Sequence, residues 1–457
     1  MKKTFLSALL LATALTTGGA KAETIFEALS TAYDTNPTLQ AQRAYLRSVD
    51  ENVAIAKSGF RPNIYLTGGY SDSDVHNNNV PSQTGGATLS AGAKISQPVF
   101  SGFTTVNSVK SADSMVRAEQ NNLYNTEQGV FLDSSTAYLD VVRDEAIVNL
   151  QKNIDKLLKK RLDETVERFN VGEVTRTDVS QAQARYSQAK ADRIASEGNL
   201  QASKAVYTRV IGEAPKDLSE PENLGDFIPA SFQEALEYTK ANNYSIRYAR
   251  ELLNSKVYDV AANTGALLPS VTLDGSATTS KSDSSGSAYG AYNRDTKVDE
   301  VQWGVNMNIP LYTAGETRAK IRQSKYQKWQ AQELVLEAER QAVSDVTSAW
   351  ELMTSNKAQI KSIKDQVKAN EIALDGVQKE EALGNRTILD VLDAYQELLN
   401  SNVNEVKARR DYYVAAMQLL LSMGKLTAED LRLNVDLYNP KKFYKETRDK
   451  WLSLSVD

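Results

Sequence analysis

The sequence has no cysteine and a single histidine, His76. No disulfide can brace the fold, so its stability has to come from packing. One histidine excludes most histidine-based zinc sites and nucleophilic triads. Proline is scarce and unevenly spread: none lies between Pro98 and Pro215, and none between Pro310 and Pro440. Proline interrupts helices, so both gaps admit very long ones. Beyond the N-terminal segment no stretch is apolar enough for a membrane helix, and any membrane insertion has to use strands. There is no excess of positive charge: 53 Lys and Arg stand against 58 Asp and Glu, a formal net charge of −5, which argues against a nucleic-acid partner. Gly424-Lys425 is followed by Leu426 and lacks the upstream glycine spacing of a phosphate loop. His76 sits among polar residues with no visible partner. No catalytic, cofactor or metal constellation emerges, and the expectation is a protein that is not an enzyme.

What is present begins with an export signal. Lys2 and Lys3 precede an apolar run at 5–15, and Ala20-Lys21-Ala22 fits the small-x-small cleavage rule. The run is too short to span a bilayer. Residues 1–22 are therefore expected to be a signal peptide.

The rest of the chain is a duplication, a pattern to be sought before any other. Glu27-Ala28-Leu29 recurs as Glu234-Ala235-Leu236. Asn36 matches Asn243, Leu46 matches Leu253, and Pro62 matches Pro269 at the same spacing. After a short insertion in the second half, a new constant spacing relates Pro98 to Pro310, Tyr138 to Trp350, Gly172 to Gly384, Asp178 to Asp390 and Gly212 to Gly424. The expected division is a first repeat at 23–212, a linker at 213–230 holding Pro215, Pro221 and Pro229, a second repeat at 231–424, and a C-terminal segment at 425–457. The linker and the C-terminal segment are both expected to wrap the helices near their middle.

Inside the first proline gap Val130, Leu139, Val142, Ile147, Leu150, Ile154 and Leu157 recur at three- and four-residue spacing, which indicates helix. Alanines such as Ala182, Ala184 and Ala189 suit close helix packing. Each repeat ends its long helix at a glycine, Gly172 or Gly384, in the position that favours a left-handed residue. Long helices are expected over 103–170 and 315–382, each about 100 Å at 1.5 Å per residue. Return helices are expected over 175–211 and 387–423, and leading helices over 25–58 and 233–265. A leading and a return helix placed end to end match one long helix, which suggests a wall of paired rods.

Between leading and long helices lie strands, in hairpins at 62–98 and 269–310. Val301, Trp303, Val305, Met307 and Ile309 alternate with Gln302, Gly304, Asn306 and Asn308. Val271, Leu273, Gly275 and Ala277 alternate with Thr272, Asp274 and Ser276, and the first repeat repeats the pattern at Ile64, Leu66, Gly68, Tyr70 and at Leu89, Ala91, Ala93, Ile95. Apolar-out, polar-in segments of this kind are the outer-membrane strand pattern. A half-buried sheet in a soluble domain shares the alternation, but four segments at matching repeat positions of an exported chain favour the barrel. Residues 71–87 and 279–298, rich in Ser, Asn, Asp and Gly, are expected to be exposed hairpin loops. Four strands cannot cross a membrane alone, because open edges leave backbone groups unpaired in lipid. Two copies give a barrel that side chains fill; three give twelve strands and an open lumen. The fold class is mainly α with a shared membrane β-barrel, and the implied function is a conduit.

Gly384-Asn385-Arg386-Thr387-Ile388-Leu389-Asp390-Val391-Leu392-Asp393 closely resembles the periplasmic-tip motif of the TolC family of outer-membrane efflux channels. Phe169-Asn170-Val171-Gly172, followed by Thr177-Asp178-Val179, resembles its first-repeat counterpart. The resemblance covers nearly the whole mature chain, including the four helix–barrel junction prolines Pro62, Pro98, Pro269 and Pro310. It implies a homotrimer with a 12-stranded barrel in the outer membrane of a Gram-negative bacterium and a 12-helix tunnel in the periplasm. It also implies docking to a periplasmic adaptor and an inner-membrane pump or ABC exporter, for efflux of small toxic molecules or type I secretion of proteins.

Asp390 and Asp393 share one helical face, and in a trimer they make two carboxylate rings that favour cations at a constriction. Thr387 with Asp390, and Thr175 with Asp178, also approximate capping boxes, which is the simpler reading of Asp390. The resemblance assigns Asp390 and Asp393 to the constriction, and gives Arg386 a bond across the tip to Thr177 and Asp178 that holds the entrance shut. Glu381 stands where the family carries a tyrosine tie. A carboxylate there repels Asp178 unless Arg386 or a bound cation bridges them. The rival to a channel is a non-conducting coiled-coil adaptor or surface stalk, which needs no amphipathic strands.

Overall fold

The computed structural model describes residues 22–77, 82–221, 224–286 and 292–453. The first repeat runs α1 (Ile25–Thr35), α2 (Pro37–Ser58), β1 (Asn63–Asn77), β2 (Ser82–Ser101), α3 (Thr104–Asn170) and α4 (Arg176–Ile211). The second runs α5 (Phe232–Asn242), α6 (Tyr244–Gly265), β3 (Ser270–Gly286), β4 (Tyr292–Asn308), α7 (Glu316–Ala382) and α8 (Ile388–Met423), and α9 (Pro440–Thr447) follows. The helix α3 and its repeat mate α7 each have 67 residues, about 100 Å of helix at 1.5 Å per residue. Both end at the anticipated glycines, Gly172 at φ 83° and Gly384 at φ 80°, where a Cβ would be strained.

The leading helices differ from expectation. Neither is continuous: the first breaks at Asn36 into α1 and α2, the second at Asn243 into α5 and α6. Each asparagine is a helix N-cap whose Oδ1 accepts two backbone N–H groups of the following turn. Each also donates through Nδ2 to a carbonyl in the last turn of a return helix: Asn36 to Val210 O and Asn243 to Ser422 O, both at 2.8 Å. The chain bends at these points so that α2 continues the line of α4, and α6 the line of α8. The return helices terminate at Gly212, φ 100°, and Gly424, φ 80°, pressed against Thr35 and Asn242 respectively. A Cβ on Gly212 would lie 2.8 Å from Thr35 Oγ1, and one on Gly424 2.9 Å from the Asn242 carbonyl. Towards the tip the wall consists of α4, α3, α8 and α7 side by side; towards the sheet it consists of α2, α3, α6 and α7.

The four strands form one antiparallel sheet in chain order. In register, Ile64 faces Ile95, Leu66 faces Ala93, Leu273 faces Val305 and Gly275 faces Trp303. The β2–β3 pairing sets Ala93 against Ala277 and joins the repeats. The strands run into the stretches expected to be loops: β1 reaches Asn77 and β3 reaches Gly286. Ladder hydrogen bonds need no apolar side chains, so the hairpins continue after the alternation has ended. His76, expected in the loop, is therefore part of β1; residues 78–81 and 287–291 of the expected loops lie outside the described residues. Pro62 and Pro269 stand just before β1 and β3, Pro310 just after β4, and Pro98 lies in β2 where the register slips before Phe100.

The largest core lies at mid-height, where helix junctions, linker and C-terminal segment meet. Leu29, Phe131, Tyr138, Tyr207, Met417, Leu420 and Leu431 are buried there together. The Tyr138 hydroxyl bonds to the Glu23 and Ser219 carbonyls, both at 2.8 Å, and the Tyr207 hydroxyl donates to Glu23 Oε1 at 2.8 Å. The C-terminal segment corrects the expectation in part. Leu426, Ala428 and Leu431 join this belt, but α9 leaves it and climbs α2 towards the sheet.

Candidate functional site

The tip consists of two helical hairpins, α3–α4 and α7–α8, with α3 against α8. Thr175 and Thr387 cap the return helices in full capping boxes. Asp178 accepts from Thr175 N at 2.8 Å and Thr175 Oγ1 at 2.7 Å; Asp390 accepts from Thr387 N at 2.9 Å and Thr387 Oγ1 at 2.8 Å. These bonds hold both carboxyls below the usual carboxylate range, so both are ionised at neutral pH. Thr177 is exposed beside them.

Around these turns four ion pairs form within one chain, and none is the one anticipated. Arg386 donates Nε to Glu380 Oε2 at 2.9 Å, and so within one chain it reaches neither Thr177 nor Asp178. Glu381 is held by Arg168, Nη1 to Oε1 at 2.8 Å, and its side chain is half-buried. Arg168 also bonds Glu173 at 3.3 Å and lowers the Asp178 carboxyl through its charge. Within one chain the cation that stands between Glu381 and Asp178 is therefore Arg168. Asp393 is paired too: Arg185 of α4 reaches its Oδ1 at 2.6 Å. Asp390 keeps its charge uncompensated by a direct ion pair, while that of Asp393 is balanced.

Sequence reasoning overlooked Arg168, Arg185 and Glu380. One signal was available: Arg168 and Glu380 occupy matching repeat positions with opposite charge. Arg185 matches Glu397 with opposite charge in the same way, but its partner is Asp393, which it meets because α4 reaches α8.

At the other end the sheet sorts its side chains by face. One face carries Leu66, Val301 and Trp303, exposed at 85%, 83% and 80%, with Tyr70, Leu89, Val305 and Met307. A contiguous apolar surface of this kind requires a partner phase. The opposite face is polar and laced across strands: Asp274 accepts from Ser96 at 2.6 Å, Thr272 at 2.9 Å and Asn306 at 2.6 Å. The outer strands β1 and β4 each have one unpaired edge within the chain. Among the described residues no helix is long and apolar enough to cross a membrane, and no cluster of residues could hold a metal ion.

The family description "Outer membrane efflux protein" matches residues 28–213 and 235–425. The outer membrane efflux protein BepC of Brucella suis is 37% identical over 450 residues, 98% of this chain and 95% of that protein. The outer membrane protein TolC of Vibrio cholerae is 28% identical over 427 residues, 92% of this chain and 95% of that protein. The Campylobacter jejuni CmeC outer membrane channel superposes with a TM-score of 0.78 at 16% identity, covering 93% of this chain and 89% of that one, a likeness of fold.

Proposed function

The chain belongs to the outer membrane efflux protein family, and on that premise we propose that three copies close into one conduit, shut at the helical tip and opened by docking of a periplasmic adaptor with its inner-membrane pump or exporter. The protein is an outer-membrane efflux channel of a transport family. The observation that carries the oligomer is the sheet: apolar on one face, polar on the other, with two unpaired edges. Unpaired backbone groups are not tolerated in hydrocarbon, so β4 of one copy pairs with β1 of the next. Twelve strands leave a lumen, lined by the face that Asp274 laces.

In this reading the two repeats, 23–212 and 231–424, supply equal halves of the wall. The linker at 213–230 and residues 425–433 form a girdle. The arginine pairs keep the tip hairpins together, and opening exchanges them for adaptor contacts. Asp390, with Asp393 balanced by Arg185, sets cation preference at the constriction. Exported cargo is small toxic molecules, proteins, or both, selected by the pump. The exposed apolar sheet opposes a non-conducting stalk. Planar-bilayer recording of detergent-purified protein, together with its native mass, tests the proposal: small, cation-selective unitary currents from a trimer are expected. A water-soluble monomer with no conductance would overturn it.

A further inference from the structure

The climb of α9 has no role in the conduit as described, and its end point carries a distinct chemistry. Tyr444 donates to Asp113 at 2.6 Å and Arg448 reaches the same carboxylate at 3.5 Å, fixing α9 alongside α3. Above it Lys57 pairs with Asp449 at 2.5 Å, and Arg61 donates to the Lys450 carbonyl at 3.0 Å. The Arg61 guanidinium lies over the Trp451 ring, 4.9 Å from its centroid. Arg61 is two residues from the start of β1, whose apolar outward face begins at Ile64. Trp451 and Leu452 therefore stand at the boundary between sheet and helices, and they are exposed at 65% and 92%. The segment behind them, 440–453, carries Lys441, Lys442, Lys445, Arg448 and Lys450 against Glu446 and Asp449. It is cationic in a chain whose overall charge is negative.

We propose that residues 440–453 are a membrane-interface anchor, in which the basic side chains bind anionic phospholipid headgroups of the periplasmic leaflet and Trp451 and Leu452 enter the acyl-chain boundary. Tryptophan concentrates at that depth because its ring is apolar and its N–H polar. Lysines extend their charged ends to the headgroups while their stems stay apolar, and the negative surface potential of anionic lipid attracts them. The internal bonds to Asp113, Lys57 and Arg61 pre-order the segment, so lipid binding does not have to fold it.

The inference rests on the barrel reading, and the experiment separates the two. Three full-length variants each retain one tryptophan, Trp451, Trp303 or Trp350, with the others changed to Phe. They are placed in nanodiscs of phosphatidylglycerol and phosphatidylcholine with bromine near the headgroup end of the acyl chains. Trp303, on the outward face of β4, reports the barrel; Trp350, packed on Phe232 at mid-height, lies far from lipid. Bromine should quench Trp451, whose ring lies at interfacial depth, quench Trp303, and leave Trp350 unchanged. Lys441→Gln with Lys445→Gln and Lys450→Gln, or high salt, should relieve Trp451 quenching alone. Quenching of Trp303 without Trp451 overturns the anchor and spares the barrel. Quenching of neither overturns both. Trp451 quenched equally in pure phosphatidylcholine overturns the role of anionic headgroups.

Discussion

Replacing Asn36 or Asn243 should weaken the protein by an amount that divides into two parts. Each side chain performs two tasks at once. Its oxygen caps a helix start: Asn36 accepts from Thr38 N at 2.9 Å, and Asn243 from Ser245 N at 2.9 Å. Its amide donates to the end of the helix below, at Val210 O or Ser422 O. Asn36 and Asn243 are 6% and 8% exposed, so water cannot replace a lost partner. Loss of an N-cap costs about 1 kcal/mol, and a buried carbonyl left without a donor costs about 1–3 kcal/mol more. Asn→Ala at either site removes both and should destabilise by about 2–4 kcal/mol. Asn→Ser keeps a capping hydroxyl but cannot reach down, and should lose only the second part. Melting of the purified protein, followed by circular dichroism at the helix band, should rank wild type above Ser above Ala, with Asn36 and Asn243 behaving alike. If Asn→Ala melts with wild type at both positions, the junctions are held by the surrounding core and the reasoning fails.

Three further outcomes follow from the same geometry. Arg168→Ala, which frees Glu381 and Glu173 together, should raise single-channel conductance more than Arg386→Ser or Asp178→Ala; each exposed pair contributes only about 0–1 kcal/mol, but threefold repetition adds them, and unchanged currents in all three variants would locate the closure elsewhere. Trivalent cations should block the current from the periplasmic side, Asp390→Asn with Asp393→Asn should remove most of the block, and Arg185→Gln, by uncovering Asp393, should tighten it; a double variant that blocks like the parent would leave Asp390 as a helix cap alone. The buried carboxyl of Asp50 has neither oxygen hydrogen-bonded, and burial pushes it up to about 7 from 3.8. An acid raised in the folded state binds its proton there while the unfolded chain has released it, so stability falls as pH rises from about 4 to 7, by up to about 4 kcal/mol at 1.36 kcal/mol per unit. Burial raises Glu127 to about 7 as well, so Asp50→Asn should remove part of the slope of melting temperature against pH and raise stability at pH 8; an unchanged slope would mean that Asp50 is already charged.

Much of the architecture was legible because it depends on properties of one residue or one element. A proline-free stretch permits a long helix wherever it is packed, and Gly172 and Gly384 take left-handed angles that other residues resist. The alternation of Val301, Trp303, Val305 and Met307 holds on any pleated strand, and the repeat announces its own symmetry. The break at Asn36 was less visible: Pro37 permits a helix start as readily as a kink, and Asn243 has no proline after it. The strand extensions were hidden because backbone pairing continues without an apolar pattern.

What only the tertiary structure decided are contacts between residues far apart in the chain. Arg168 meets Glu381, and Arg185 meets Asp393, because α3, α4, α7 and α8 lie side by side, and a side chain several ångströms long selects among carboxylates by wall geometry rather than by spacing. The C-terminal segment shows the same limit: its basic composition is plain in the sequence, but its position beside the sheet depends on Asp113, Lys57 and Arg61, which local pattern does not connect to it. Periodicity records which face of an element is apolar; it carries no record of which neighbour that face will meet.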